Sequence, residues 1–241
     1  MSWKKRIAEA AVARLPTYNR ALDELDRKGV EIISSDELGE RVGYSAAQIR
    51  KDLSCFGEFG KVGTGYYVKD LKEAISQILG IDRTWNVALV GAGNLGSALL
   101  AYPGFRERGF RIVAVFDNDL RKIGKKWENV ILQDISEIPE KIKEQDIQIG
   151  IIAVPAKVAQ QIADMLVLSG IRAILNFAPA RIVVPDGVEL RAADLSRELE
   201  RLSYFLTNEA AIRTEALQKG KVASGEEDKT RESHHYRQDW R

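Results

Sequence analysis

The sequence predicts an α/β protein in which a small helical domain precedes a doubly wound parallel sheet. One capped helix ends at Gly43 and another begins within three residues, which is typical of a helix-turn-helix. After Trp85, apolar strand patterns alternate with helical patterns, as in Rossmann-type sheets. We predict a winged helix-turn-helix domain (1–80), a Rossmann-type doubly wound parallel sheet (83–194), a C-terminal helix that is a candidate dimerisation helix (195–218) and a disordered tail (219–241).

The charges of the chain almost cancel. It has 36 Lys and Arg against 35 Asp and Glu, a net charge of +1, so any binding to nucleic acid must be local. The single cysteine, Cys55, leaves disulfides and zinc sites without ligands, and both histidines, His234 and His235, lie in the tail. No apolar run approaches the ~18 residues that cross a bilayer. We expect a cytoplasmic protein with no metal, no membrane segment and no imidazole base.

Two helices are expected before Gly29. The first runs from about Lys4 to Arg14, and Pro16 takes a first-turn position in the second. An apolar stripe on the second helix is formed by Tyr18, Leu22 and Leu25.

The next two helices have explicit start signals. Ser34 with Glu37 forms a capping box at the start of one helix, and Ser45 with Gln48 forms another at the start of the next. This next helix, the candidate DNA-recognition helix, runs from Ser45 to Phe56. Its apolar positions face the core, and its outer face can read bases and hold phosphates. An ordinary solvated helix stays an alternative. The candidate DNA contacts are Ser45, Ala47, Gln48, Arg50, Lys51 and Ser54.

A glycine-rich stretch follows this helix. Residues 56–68 place four glycines around β-prone residues, which predicts a hairpin wing that can approach a DNA backbone closely. A plain connecting hairpin is the alternative. Residues 1–80 hold 13 Lys and Arg against 12 Asp and Glu, so binding favours a dimer on two half-sites. The candidate wing contacts are Lys61, Gly63, Gly65 and Tyr66.

A dinucleotide-binding pattern follows the first strand of the sheet. In Gly91-Ala92-Gly93-Asn94-Leu95-Gly96, the first glycine permits a tight turn, the second admits a pyrophosphate, and the third allows close packing of the helix. Asp117 ends the next strand, 26 residues after Gly91, where a carboxylate can bind the adenosine ribose. Its charge would repel a 2′-phosphate, so NAD(H) is favoured over NADP(H). A turn residue is the alternative for Asp117.

Two further strand ends belong to the same predicted crevice, because ligands bind beyond the carboxyl ends of parallel strands. Their apolar residues suit a neutral reduced nicotinamide better than the oxidised cation. Ordinary strand-end turns are the alternative. The candidates are Val154, Pro155, Phe177, Ala178 and Pro179.

The leucines that recur after Asp194 predict a long amphipathic helix to Leu217. Such a helix can cover its own sheet or dock on a second subunit, and the pattern leaves both open.

These motifs resemble the Rex family of redox-sensing transcriptional repressors over residues of about 4–215. The resemblance is carried by Arg14-Leu15-Pro16 with Tyr18, Ser34-Ser35 with Leu38-Gly39, Arg50-Lys51-Asp52-Leu53, the wing, Gly91 to Gly96 followed by Tyr102, and Asn176-Phe177-Ala178-Pro179. The wing departs from the family at Val62, where the family usually has a basic residue before the wing glycine, and at Tyr67, where small polar residues are common.

The resemblance implies a homodimer that binds a palindromic double-stranded operator and is released by NADH, with NAD⁺ competing for the same pocket. It implies a C-terminal helix exchanged between subunits. It also implies that Arg14, Tyr102 and Asp194 connect the nicotinamide pocket to the DNA-binding domain. An NAD-dependent dehydrogenase with a helix-turn-helix appendage, or a nucleotide-binding regulator of another protein, are the competing interpretations.

Overall fold

The computed structural model describes residues 3–61 and 63–208. The predicted tail, the end of the predicted C-terminal helix and Val62 lie outside these ranges. The N-terminal part contains α1 (Trp3–Arg27), β1 (Ile32–Ile33), α2 (Ser35–Val42), α3 (Ala46–Ser54), β2 (Tyr66–Tyr67) and α4 (Val68–Leu79).

The first helix is continuous, so the prediction of two helices before Gly29 is wrong. Helix α1 passes through Pro16, which is exposed, as is the neighbouring turn at Val12. Proline costs the helix one hydrogen bond to the carbonyl four residues earlier. One unbroken buried face outweighs that loss, because its spacing of three and four residues places all members on one side. These residues are Ala11, Leu15, Tyr18, Leu22 and Leu25.

Both predicted N-cap serines are in place, but the capping box is complete only for Ser34 and Glu37, since the one side-chain bond of Gln48 goes to Asp52. Ser34 and Glu37 form the capping box of α2, with the Ser34 N–H donating to the Glu37 carboxylate over 2.8 Å. Gly43 ends α2 with a φ of 73°, and the Ser45 hydroxyl accepts from the Gln48 N–H at the start of α3. The core of this domain draws one or more residues from every element: Leu15, Tyr18, Leu22, Leu25, Ile33, Leu38, Ile49, Leu53, Tyr66, Val68, Leu71 and Ile75.

The wing differs from a simple hairpin. Among the described residues of the wing, one bridge joins Lys61 to Gly65, whereas β2 pairs antiparallel with the distant β1, joining Ile33 to Tyr66. A Cβ at Gly65 would lie 2.5 Å from the Ile33 carbonyl oxygen, and Gly65 has a φ of 93°. The glycine therefore allows the wing to lie directly against β1.

The second domain begins after a short link. Helix α4 ends at Leu79, and the Trp85 indole donates to the Gly80 carbonyl over 2.7 Å. The elements that follow are β3 (Trp85–Val90), α5 (Asn94–Ala101), α6 (Pro103–Glu107), β4 (Phe110–Asp117), β5 (Lys126–Trp127), β6 (Val130–Asp134), a 3₁₀ turn (Ile135–Glu137), α7 (Ile138–Glu144), β7 (Ile149–Ile152), α8 (Ala156–Leu168), β8 (Ala173–Asn176) and β9 (Glu189–Ala192).

The sheet has the predicted doubly wound topology. Its spatial order is β5-β6-β4-β3-β7-β8-β9, in which all neighbours are parallel except the short edge strand β5. Counting only the parallel strands, this is the order 3-2-1-4-5-6 of dinucleotide-binding sheets. The strand order reverses between β3 and β7, so the crevice lies at their carboxyl ends. Buried residues cover both faces of the sheet.

Residues 195–208 are helical and are called α9 here. Its large apolar side chains lie in water in the single chain: Leu195, Leu199, Leu202, Tyr204, Phe205 and Leu206 are each 59–75% exposed. None of the helices in the described part of the chain combines the length and apolar character of a membrane span.

We predict that Pro16→Ala stabilises the protein. The substitution restores an N–H that can donate to the Val12 carbonyl within a continuous helix, and we expect a gain of about 1–2 kcal/mol in the free energy of unfolding, measured by urea denaturation. The control is the exposed neighbour Thr17→Ala, which changes helix propensity alone and should gain less than about 0.7 kcal/mol. A loss of stability in Pro16→Ala would contradict this account of α1.

Candidate functional site

The glycine-rich turn between β3 and α5 is built by close backbone contacts. Gly91 has a φ of 107°, and a Cβ there would collide with the carbonyl oxygen of Ala153 after β7. A Cβ at Gly96 would collide with the Gly91 carbonyl oxygen. At Gly93 a Cβ would meet no atom within 4 Å. Two glycines thus serve the packing of the turn, and the third leaves an open approach to the start of α5.

Asp117 lies at the end of β4 and is joined to the same turn. Its carboxylate accepts from the N–H of Ala92 over 2.7 Å and from the N–H of Asp119 over 2.9 Å. Burial acts to raise the pKa of Asp117, but these bonds and the Lys122 ammonium outweigh it and hold the pKa below its usual value. Most of the acceptor capacity of Asp117 is therefore used to fix the turn, and one lone pair on the oxygen facing Asp119 stays open.

Lys122 is a residue of this site that the sequence did not single out. Its ammonium donates to the Ala92 carbonyl over 3.0 Å and lies 3.4 Å from the Asp117 carboxylate. It stands five residues after Asp117, and only the fold of the loop brings the two charges together. The cation offsets part of the negative charge that was predicted to exclude a 2′-phosphate.

The two apolar strand ends meet the turn at one edge of the sheet. The Phe177 N–H donates to the Ile152 carbonyl over 2.9 Å, and the Ala153 N–H donates to the Val90 carbonyl over 2.8 Å. Asn176, which is 1% exposed, shapes the second loop: its amide donates to the Ala178 carbonyl and its oxygen accepts from the Ala178 N–H. Of the predicted residues, Gly91, Gly93, Asn94, Leu95, Gly96, Asp117, Val154, Pro155, Phe177, Ala178 and Pro179 belong to the turn and these strand ends.

Tyr102 lies at the opposite end of α5 from the glycine-rich turn. It follows the far end of α5, about 12 Å along the helix axis from Asn94. Its ring lies over Gly104, where a Cβ would be 2.6 Å from it, and contacts the Phe105 ring edge to face at 5.2 Å. Tyr102 lines a separate cavity of about 950 Å³ with Leu100, Phe105, Phe110, Ile112 and Val130 among its walls.

The outer face of α3 carries most of the predicted DNA contacts of this helix. Ala47, Arg50, Lys51 and Ser54 are exposed, and the Arg50 guanidinium donates to the Ser35 hydroxyl of α2 over 2.7 Å. Ser45 is exposed but its hydroxyl caps α3. Lys61 and Gly63 are exposed in the wing.

Tyr66 has a different position from the one expected of a DNA contact. It is 8% exposed and belongs to the domain core, and burial raises its pKa. The pairing of β2 with β1 turns Tyr66 inward and Tyr67 outward, because successive side chains of a strand point to opposite faces. We therefore correct the prediction: Tyr66 is a packing residue, and Tyr67, at 47% exposed, is the tyrosine that faces solvent.

Arg14 is joined to the DNA-binding helix. Its guanidinium donates two hydrogen bonds, of 2.5 and 2.6 Å, to the Asp52 carboxylate of α3, and the Tyr18 hydroxyl donates to the same carboxylate over 2.6 Å. The carboxylate raises the pKa of Arg14 further above its usual range. No role was predicted for Asp52, although it belongs to the run Arg50-Lys51-Asp52-Leu53 that carries the family resemblance. The available signal was its position between the apolar Ile49 and Leu53, on the face of α3 that packs against α1.

Asp194 begins the last described helix. Its carboxylate accepts from the N–H groups of Ser196 and Arg197 over 3.0 and 3.3 Å, as an N-cap of α9. Among the described residues, no hydrogen bond joins the side chains of Arg14, Tyr102 and Asp194 to one another. In those same ranges, no three His, Cys, Asp or Glu side chains form a group that could hold a metal ion.

Comparison with known proteins identifies both domains. Residues 6–54 match the family model "Putative DNA-binding protein N-terminus", and residues 82–180 match "CoA binding domain". Among solved structures, a Rex-family repressor called RSP in complex with β-NAD⁺ and operator DNA is 42% identical, with a TM-score of 0.82, covering 86% of this chain and 95% of that one. RSP in complex with β-NADH has a TM-score of 0.77 at 40% identity, covering 89% and 98% of the two chains. The predicted fold class is thereby confirmed.

Curated relatives agree over most of the chain. The redox-sensing transcriptional repressor Rex of Desulforamulus reducens is 52% identical over 83% of this chain and 96% of its own. Rex of Clostridium beijerinckii is 50% identical over 86% of this chain and 98% of its own. These relatives are repressors and not enzymes, which rules out the dehydrogenase interpretation. Together with the helix-turn-helix and the dinucleotide-binding turn, this identity shows that the chain belongs to the Rex family of redox-sensing transcriptional repressors.

Proposed function

We propose that this protein binds palindromic operator DNA as a homodimer through α3 and the wing, and that NADH bound at the glycine-rich turn releases the DNA. NAD⁺ competes for the same crevice, so the protein responds to the ratio of NADH to NAD⁺. The observation that carries the proposal is the presence, in one chain, of an exposed basic helix face and an open dinucleotide turn at the switch point of the sheet. The RSP complexes with operator DNA, NAD⁺ and NADH support it.

The crevice suits a dinucleotide on physical grounds. Open space at Gly93 admits a pyrophosphate to the N-terminus of α5, where the helix dipole and free N–H groups favour negative charge. Asp117 has one acceptor position left for a ribose hydroxyl. These contacts are common to both oxidation states. Changing the ratio of the DNA-releasing to the DNA-binding state of the protein from 1:99 to 99:1 needs a difference of about 5.5 kcal/mol in the ligand's affinity for the two states. This difference must therefore come from the nicotinamide ring and its surroundings.

The apolar strand ends can supply part of this difference. Val154 and Phe177 are half-buried beside the crevice, and burying an uncharged ring against them costs less than burying the oxidised cation. Among the described residues, no hydrogen bond joins the side chains of Arg14, Tyr102 and Asp194, and we propose that a second subunit completes the connection among them.

The exposed apolar side of α9 supports the homodimer. Monomeric proteins seldom leave a continuous row of leucines in water, and a second copy offers an equivalent row. Two copies also place two α3 helices on two half-sites, which compensates for the weak charge of each DNA-binding domain. Operator DNA lies in the cytoplasm of a bacterium, which supports that location for the protein.

A DNA-shift titration tests the proposal. The full chain is added to a palindromic duplex with saturating NADH, saturating NAD⁺ or neither. We expect a complex of two chains per palindrome that NADH dissociates and NAD⁺ preserves. A duplex of scrambled sequence is the control for non-specific binding. Equal retardation with both cofactors would refute the proposed switch.

Two glycine substitutions separate folding from cofactor binding. Gly96→Ala places a methyl group against the Gly91 carbonyl, so we expect a loss of about 1–3 kcal/mol in stability and weaker NADH binding. Gly93→Ala places its methyl group in open space, so we expect unchanged stability and weaker NADH binding. Thermal unfolding and NADH fluorescence measure the two effects. Undiminished NADH affinity in Gly93→Ala would contradict the proposed pyrophosphate position.

Lys122 provides a test of cofactor choice. In Lys122→Met, the Asp117 carboxylate loses its neighbouring cation and repels a 2′-phosphate more strongly. We expect the preference for NADH over NADPH to rise about two- to fivefold, the range of a partly exposed charge pair, in fluorescence titrations of both cofactors. Lys122→Arg keeps the cation and should keep the wild-type preference. An equal change in both affinities would show that Lys122 acts only on the shape of the turn.

A further inference from the structure

A buried carboxylate lies where α1 crosses the DNA-binding helix. Asp52 is 2% exposed and accepts four hydrogen bonds. Three come from α1: two from the Arg14 guanidinium and one from the Tyr18 hydroxyl, at 2.5–2.6 Å. The fourth comes from α3 itself, where the Gln48 side-chain amide donates over 2.6 Å. A fully bonded buried carboxylate has one favoured orientation, because any rotation would leave a buried donor unpaired.

Gln48 connects this cluster to the outer surface. It stands one helical turn before Asp52, half-buried between the core side of α3 and its exposed face. Within the described ranges, the bond to Asp52 is the one hydrogen bond formed by its side chain, and it uses one of the two amide N–H groups. The second N–H and the amide oxygen stay available. This is the donor and acceptor pair with which a glutamine recognises the N7 and N6 groups of adenine in the major groove.

The contact with Asp52 changes what Gln48 can do. A free glutamine on a helix surface rotates among many conformers and loses that freedom on binding. A recognition group whose orientation is fixed by a neighbour makes its hydrogen bonds with less loss of entropy. The acceptor stays charged, because burial acts to raise the pKa of Asp52 but the hydrogen bonds from Arg14, Tyr18 and Gln48 outweigh it and lower the pKa.

We propose that Asp52 is a positioning residue for base recognition: it orients the Gln48 amide so that the operator is read at one adenine in each half-site. Asp52 itself contacts no base. This inference rests on the proposed function, since it concerns the same helix and the same operator DNA.

Base preference, measured with the full chain, tests the proposal. Each position of one half-site is varied through all four bases, and relative affinities are determined at saturating NAD⁺. The wild type should prefer adenine at one position by about fivefold or more, the discrimination of one bidentate contact. Gln48→Ala should abolish this preference. Asp52→Asn should reduce it to less than twofold while preferences at other positions persist.

Tyr18→Phe is the matched control. It removes one hydrogen bond from Asp52 and lowers stability, but leaves the bond between Asp52 and Gln48 in place, so the adenine preference should persist. In a Gln48→Ala background, adding Asp52→Asn should change no base preference. A purely structural role would instead make Tyr18→Phe and Asp52→Asn alter affinity alike at every position, and that result would overturn the proposal.

A second variant covers the case in which Asp52→Asn does not fold. The triple variant Arg14→Met, Tyr18→Phe and Asp52→Leu replaces the whole buried cluster with apolar groups, which is often tolerated. It should lose the adenine preference as Gln48→Ala does, and retention would refute the proposal.

In the wild type, the Gln48 side-chain amide should be rigid by NMR relaxation. Motion equal to that of the exposed Gln77 would also refute it. A wild type that binds no duplex specifically would instead refute the proposed function.

Discussion

The contact of the Gly91 backbone with Ala153 governs the shape of the whole crevice. It brings the loop after β7 against the turn after β3, at the point where the strand order reverses. A side chain at Gly91 would separate these strand ends, and the open approach at Gly93 would lose its walls. Asp117 then fixes the turn from the side of β4 by accepting the Ala92 N–H. The crevice is thus built from close backbone contacts, which the side chains of Asp117 and Asn176 hold in place by hydrogen bonds to the backbone.

The DNA-binding domain is held together differently. Its helices meet through apolar packing, but the orientation of α3 relative to α1 also depends on one buried carboxylate and the guanidinium paired with it. A bidentate pair fixes an angle as well as a distance, because two parallel hydrogen bonds resist rotation. The pair therefore contributes to the angle at which α1 crosses α3. Backbone contacts define the cofactor crevice, whereas side-chain hydrogen bonds define the DNA-binding surface.

Local signals in the sequence predicted most of the elements and the glycine-rich turn, because caps, apolar spacing and glycine patterns act within a few residues. The errors arose where distant residues decide the outcome. Pro16 does not interrupt α1, because the buried face on both sides favours one helix. Tyr66 faces inward because β2 pairs with β1, more than thirty residues earlier. Strand β9 was not predicted, since this edge strand is mostly exposed and lacks alternating apolar residues.

The exposed apolar side of α9 has a consequence for the thermal stability of the protein. Burial of this side stabilises only the bound form, so the unfolding temperature of the protein rises with the concentration of whatever covers it. If the protein associates with itself, a tenfold dilution of the protein lowers its unfolding temperature as well as the fraction of associated chains. If a second copy covers this side, the amount of protein in the cell also determines its lifetime, because dissociated chains expose surfaces that proteases recognise.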